Sequence, residues 1–214
     1  MKKNTIIIAV IILIIGLGIG FGIGNSNENN TENELTKGMS AGMHQMPDGT
    51  MMSNDMSMDM MGGMDHSAMM VSSEREFVSG MIPHHQEAID TANEVLARGG
   101  STENVRTLAT EIITAQEAEI ATLKGWHLDW YKEIYVADGL YQPMMRDLSG
   151  LSGVALDQRF LEDMIPHHMG AIMMAQSVRP YITHPEITSM ADAIMTTQTA
   201  EIELMQDLLR DLSA

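Results

Sequence analysis

The first pattern along the chain is an unbroken apolar run from Thr5 to Gly24. It contains about 20 residues without a charge, enough for one helix to cross a bilayer. Lys2 and Lys3 precede the run and favour an N-terminus in the cytoplasm, with the rest of the chain outside the cytoplasmic membrane. A signal peptide is the alternative, although no small-residue cleavage site is evident. Glycines four residues apart would let two such helices pack as a dimer, or they simply reflect how common Gly is in spanning helices.

The next stretch, residues 25–72, has neither a helical nor a strand period. It contains twelve methionines and two histidines between Met39 and Met70, separated mainly by Gly, Ser, Asp and Asn. This composition predicts a disordered tether. Clustered thioethers can wrap a soft monovalent cation such as Cu(I) or Ag(I), whereas compositional bias without function is the alternative. The candidate ligands in this tether are Met39, Met43, His44, Met46, Met51, Met52, Met56, Met58, Met60, Met61, Met64, His66, Met69 and Met70.

A helical period of apolar residues begins at Ser73 and continues to Ala214, a length that suits one domain with a substantial core. Capping signals and helix breakers divide this part into four helices. The predicted helices run from Ser73 to Arg98, from Thr102 to Lys124, from Val154 to Val178 and from Pro185 to the C-terminus. Gly125 is expected to end the second helix and to begin a long crossover to Gly153. Within this crossover, Met144 and Met145 suit packing and metal ligation equally.

The four predicted helices form two copies of one unit. The segment Phe77–Ala92 matches Phe160–Ala175, and Ala115–Leu123 matches Thr197–Met205. Two similar helical hairpins joined by a long crossover predict an all-α fold, a ferritin-like four-helix bundle with a pseudo-two-fold axis. The expected domains are therefore a membrane anchor or uncleaved signal at 1–24, the methionine-rich tether at 25–72 and the bundle at 73–214.

Both copies contain the pentapeptide Met-Ile-Pro-His-His. The second histidine lies on the heptad seam of apolar residues and the first lies on the adjoining seam, so both border the predicted core. The methionine lies one turn earlier on the same face. The candidate metal ligands are Met81, His84, His85, Met164, His167 and His168. Pro83 and Pro166 fall inside the helical pattern and predict either a kink or a new helix start.

The two partner helices each carry Gln-x-x-Glu on an otherwise apolar seam. A buried carboxylate is costly unless it is paired or hydrogen-bonded, so these side chains need polar partners. They could orient the imidazoles by accepting an N–H, or they could bind the metal directly. These residues are Gln116, Glu119, Gln198 and Glu201.

Composition restricts the chemistry of such a centre. The formal net charge of −17 argues against a nucleic-acid partner, and the absence of cysteine excludes disulfides and thiolate sites. The Glu-x-x-His sequence of carboxylate-bridged di-iron bundles does not occur in the chain. Thioether beside imidazole favours copper, as Cu(I) or Cu(II), with silver as a further soft metal.

The two Phe-x-x-x-Met-Ile-Pro-His-His-x-x-Ala-Ile segments resemble the DUF305 family of ferritin-like four-helix proteins. The resemblance covers Ser73 to the C-terminus. It implies an extracytoplasmic, copper-associated protein, and it implicates the methionine and the two histidines of each motif. The methionine-rich tether is not part of the family pattern.

Three hypotheses for function follow from the sequence. The first is a membrane-tethered copper-binding protein of the periplasm or cell surface, which sequesters copper, confers resistance or hands the metal on. The second is a ferritin-like metal-dependent oxidase that acts on Cu(I) or Fe(II). The third is a structural helical module with a buried His/Glu network. Binding is favoured over catalysis, the expected partners are the metal ion and the membrane, and homodimerisation is left open.

Overall fold

The computed structural model describes residues 69–213 and two short segments, Met43–Gln45 and Met51–Ser53. The predicted anchor at Thr5–Gly24 and most predicted tether ligands lie outside the described residues. No helix within residues 69–213 is long and apolar enough to cross a membrane.

The two short segments are strands, β1 (Met43–Gln45) and β2 (Met51–Ser53), which pair antiparallel with His44 opposite Met52. The prediction of a tether at residues 25–72 stays a prediction, because most of these residues lie outside the described part of the chain. Pro47, Asp48 and Gly49 lie between the strands in sequence, and this is a turn-forming combination.

Residues 69–213 form a four-helix domain, as predicted. The helices are α1 (Glu74–Arg98), α2 (Glu103–Tyr131), α3 (Gly153–Ser177) and α4 (Pro185–Leu212), with a 3₁₀ turn at Arg179–Tyr181. Ser73 caps α1 by accepting a hydrogen bond from the Glu76 N–H at 3.1 Å, while the Glu76 carboxylate accepts from the Ser72 N–H at 2.7 Å. Such caps satisfy backbone donors that have no partner within the helix. Both Met-Ile-Pro-His-His helices continue through their prolines, so the predicted restart at Pro83 or Pro166 is wrong.

The second helix is longer than predicted, because it continues through Gly125 to Tyr131. Trp126 and Trp130 stack on each other with ring centroids 4.9 Å apart, and Trp130 also stacks on His184 at 3.9 Å. These contacts outweigh the roughly 1 kcal/mol that one helical glycine costs relative to alanine. The C-cap residue after Tyr131 is Lys132, whose φ of 58° places it in the left-handed region, where a helix cannot continue.

The helices pack as two hairpins, α1 with α2 and α3 with α4, and the hairpins meet mainly along α1 and α3. The apolar faces of α1 and α3 turn towards this interface. Phe77 and Phe160, which correspond in the repeat, are each 0% exposed. The two Met-Ile-Pro-His-His segments therefore lie on the pair of helices that face each other in the centre of the domain.

Two carboxylates connect the hairpins in a symmetrical way that the sequence analysis did not find. Glu74, at the start of α1, accepts hydrogen bonds from the backbone N–H groups of Thr183 and His184 in the α3–α4 connection. Asp157, its counterpart 83 residues later, is 0% exposed and accepts from the N–H groups of Gly100 and Ser101 in the α1–α2 connection. We call Glu74 and Asp157 the loop-capping carboxylates. Each hairpin thus supplies a carboxylate that accepts hydrogen bonds from the backbone N–H groups of the loop between the two helices of the other hairpin.

We expect Glu74→Gln to lower stability at neutral pH by about 1–3 kcal/mol, because a charged acceptor of several hydrogen bonds is lost. Burial opposes ionisation of Glu74, but hydrogen bonds from Thr183 and His184 outweigh it and lower the pKa from 4.5 to about 2. A lowered folded-state pKa stabilises the protein above the unfolded pKa, and this contribution disappears as the pH falls towards 2. Urea unfolding from pH 7 to pH 2 should therefore show the wild type and variant converging in acid. Equal curves at pH 7 would contradict the prediction, and Glu94→Gln at the exposed Glu94–Arg98 pair is the control.

Candidate metal centre

Four histidines lie side by side at the centre of the bundle. His84 and His85 come from α1, His167 and His168 come from α3, and none is more than 1% exposed. The His84 and His167 rings face each other across the helix interface, with centroids 3.8 Å apart and planes tilted by 36°. Within each motif the neighbouring rings are 6.1 and 6.3 Å apart. The structure thus brings the predicted histidines into one cluster.

The second histidine of each motif contacts the predicted glutamate of its own hairpin. His85 Nε2 lies 2.7 Å from Glu119 Oε2, and His168 Nε2 lies 2.7 Å from Glu201 Oε2. The His168 contact has hydrogen-bond geometry, whereas the His85 contact is close but not aligned for one. These positions suit the orientation of an imidazole by a carboxylate, one of the two roles expected for Glu119 and Glu201.

The remaining predicted residues are buried near this cluster. Met81 and Met164 are each 0% exposed, one helical turn before the histidines. Gln116 and Gln198 are each 3% exposed, and their side-chain oxygens have no hydrogen-bond partner among the described residues. The bundle interior therefore holds imidazole, thioether and amide groups in place of the apolar side chains that usually fill such positions.

Glu87 is a component of the centre that the sequence analysis missed. Its Oε2 lies 3.4 Å from His167 Nε2 and accepts a hydrogen bond from the Tyr141 hydroxyl at 2.5 Å. The backbone N–H groups of Met144 and Met145 donate to the same carboxylate at 3.1 and 2.9 Å. Burial would raise the pKa of Glu87, but the close contact with His167, followed by the hydrogen bonds from Tyr141, Met145 and Met144, outweighs it and lowers the pKa. Glu87 therefore stays ionised and holds the α2–α3 crossover over the histidines. Its position one turn after His84 was the available signal.

Burial favours the neutral form of His84 and His167. Burial lowers the pKa of His84 well below its ordinary value, and positive charge on His167, His85 or His168 would lower it further. Burial also lowers the pKa of His167, although the contact with Glu87 opposes the shift. Both ring nitrogens of His84, and both of His167, have no aligned hydrogen-bond partner in the described part of the chain. A neutral imidazole nitrogen with a free lone pair is a metal donor, and burial without a partner costs about 1–3 kcal/mol.

The donors do not converge on a preformed all-imidazole or carboxylate site. Within the residues that the structure describes, no three His, Asp or Glu side chains are close enough together to hold one metal ion. A cation bound here would need thioether sulfur beside imidazole nitrogen, or a rotation of the imidazoles. Such a mixed donor set suits Cu(I), which accepts soft ligands in small numbers.

Comparison with known families and structures agrees with the expected resemblance. The model of a domain of unknown function, DUF305, matches residues 24–127 and residues 74–209. No curated protein matches the chain.

Among solved structures, CopM in the Cu(I)-bound form has a TM-score of 0.60 and 32% identity, covering 67% of this chain and 100% of that chain. CopM in the Cu(II)-bound form has a TM-score of 0.59 and 34% identity, covering 66% and 99%. CopM is also known in Ag-bound and apo forms. A DUF305 protein from Streptomyces coelicolor, described as secreted, has a TM-score of 0.58 and 29% identity, covering 64% and 92%.

Proposed function

Since the chain belongs to the DUF305 family, we propose that it is an extracytoplasmic copper-binding protein, tethered to the membrane by its apolar N-terminal run. Copper is its cargo, held for sequestration, resistance or handover. The bundle binds the metal through the two Met-x-x-His-His segments, and the tether supplies further thioethers. Silver, as Ag(I), is a second cation of the same softness.

One observation carries this proposal: His84 and His167 are buried with their ring centroids 3.8 Å apart, and their nitrogens have no aligned hydrogen-bond partner among the described residues. A fold keeps such a costly arrangement when something else uses the lone pairs, and a soft cation is the partner that suits both imidazole and the nearby thioethers. The likeness to CopM, which is known with Cu(I), Cu(II) and Ag, supports the same cargo. The likeness to a protein described as secreted supports a location outside the cytoplasm.

A structural His/Glu network is the second candidate, and the pairs His85–Glu119 and His168–Glu201 favour it. An imidazole paired with a carboxylate can stabilise a bundle interior by itself. These two pairs leave His84 and His167 unexplained, and a purely structural network predicts no copper binding.

The proposal is tested by Cu(I) titration of the full chain against a chromophoric chelator. The contribution of the tether is removed in a tether-silent chain, in which every methionine and histidine from Met39 to His66 is serine. We expect the tether-silent chain to bind Cu(I), and Met81→Leu with Met164→Leu to weaken binding at least about tenfold, because a soft ligand is lost with little change in packing. The Ile82→Leu and Ile165→Leu pair is the control. A tether-silent chain that takes up no copper would refute the assignment of the site to the bundle.

A further inference from the structure

The two halves of the duplicated bundle differ at a position that contacts the histidines. Glu87 in the first half corresponds to Gly170 in the second, 83 residues later. Glu87 contacts His167, so the repeat would place a second carboxylate against His84. At Gly170 there is no side chain, and the space beside His84 is open to other groups.

Two methionines from outside the repeated helices occupy that space. A Cβ atom added at Gly170 would lie 3.2 Å from His84 Nε2, 3.3 Å from Met69 Sδ and 3.3 Å from the Met144 methyl group. These distances are all short for a Cβ atom, so any side chain at 170 would displace one of the three groups. The bare helix backbone therefore forms the floor of a recess where one imidazole nitrogen and two methionines meet.

Each methionine is held at the recess by its own backbone connections. Two residues after Met69, the Val71 N–H donates to Ser177 Oγ on α3 at 3.0 Å. The Met144 N–H donates to Glu87 Oε2 at 3.1 Å. The carboxylate of the first half thus positions one of the methionines that fills the gap left by Gly170 in the second half.

From this arrangement we infer that Met69, Met144 and His84 form a Cu(I) loading site above Gly170, which receives the cation from the tether and leads to the histidine cluster. The inference rests on the proposed copper-binding function and specifies its point of entry. Met69 is near the C-terminal end of the methionine-rich sequence, and His84 Nε2 is buried with no hydrogen-bond partner among the described residues. Two thioethers and one imidazole are a donor set for Cu(I) or Ag(I) and a poor one for hard divalent cations. His167 has no equivalent recess, because Glu87 lies in the corresponding place.

The alternative is that Met69 and Met144 only pack, because methionine adapts well to irregular gaps. Leucine fills a similar volume without sulfur, so substitution separates the two roles. In the tether-silent chain, we expect Met69→Leu with Met144→Leu to weaken Cu(I) binding at least about tenfold and to leave the thermal midpoint unchanged. X-ray absorption of the Cu(I)-loaded protein should show fewer sulfur neighbours in the variant.

A second variant tests the recess itself. Gly170→Ala should weaken Cu(I) binding, because the added methyl group takes the space between His84 Nε2 and the two methionines. Gly125→Ala is the matched control, since a Cβ atom there has nothing within 4 Å. It should leave Cu(I) affinity unchanged.

The outcomes separate the inference from the proposed function. Tight Cu(I) binding that survives both Met69→Leu with Met144→Leu and Gly170→Ala would overturn the loading site and leave the copper function standing. A tether-silent chain that binds no Cu(I) would overturn both.

Discussion

Replacement of His84 and His167 together by leucine is expected to abolish copper binding by the bundle while the apo-protein still folds. The rings stack 3.8 Å apart, both residues are buried and their nitrogens have no aligned partner. Each buried polar group without a partner costs about 1–3 kcal/mol, so an apolar replacement removes a penalty along with the donors. Leucine at 167 also removes the contact with Glu87, which offsets part of this gain. We therefore expect a cooperatively folded apo-protein together with complete loss of bundle-bound Cu(I).

The measurement is competition with a Cu(I) chelator in the tether-silent chain, with circular dichroism to follow unfolding. His127→Leu is the matched control, because His127 is also buried but its Nδ1 contacts the Glu133 carbonyl oxygen at 2.9 Å. That control should lose stability and keep copper. If the double variant loads copper like its parent, the histidine cluster is not the binding site.

Glu87→Leu should lower the free energy of unfolding by about 1–3 kcal/mol, the cost of leaving buried hydrogen-bond donors without an acceptor. The substitution leaves the Tyr141 hydroxyl and the N–H groups of Met144 and Met145 without their acceptor. Urea unfolding at pH 7 gives the stability, and amide hydrogen exchange at Met144 and Met145 should become faster.

The free energy of unfolding of Glu87→Gln should lie between those of the wild type and Glu87→Leu, because the amide oxygen still accepts hydrogen bonds but carries no charge. Glu94→Gln, at an exposed carboxylate on the same helix, should have little effect. Unchanged exchange at Met144 and Met145 in Glu87→Leu would show that the crossover is held by other contacts.

The sequence was sufficient where contacts follow from local spacing. Ser73 and Pro185 marked the starts of helices, and the heptad rhythm placed His85 and His168 in the core. The repeat then brought the two motifs together, because two similar hairpins in one bundle place corresponding helices face to face. Glu119 lies close to His85 for a related reason, because both occupy core-facing heptad positions on neighbouring helices of one hairpin.

The sequence was insufficient where contacts join distant or irregular segments. The extension of α2 past Gly125 depends on Trp130 stacking on His184, and the role of Glu87 depends on the path of the crossover. Both contacts join residues more than 50 positions apart, so no regular spacing in the sequence indicates them. The loop-capping carboxylates are a different case, since acidic residues at 74 and 157 share the 83-residue offset of the repeat.

Glu74 and Asp157 also determine how the bundle can come apart. If one hairpin melts, the other loses the hydrogen-bond acceptor of its inter-helix connection, and several backbone donors become unsatisfied at once. Partial opening of a single half is thereby penalised, and the two repeats should denature in one cooperative transition. The buried imidazoles between them would then meet solvent only when the whole domain unfolds.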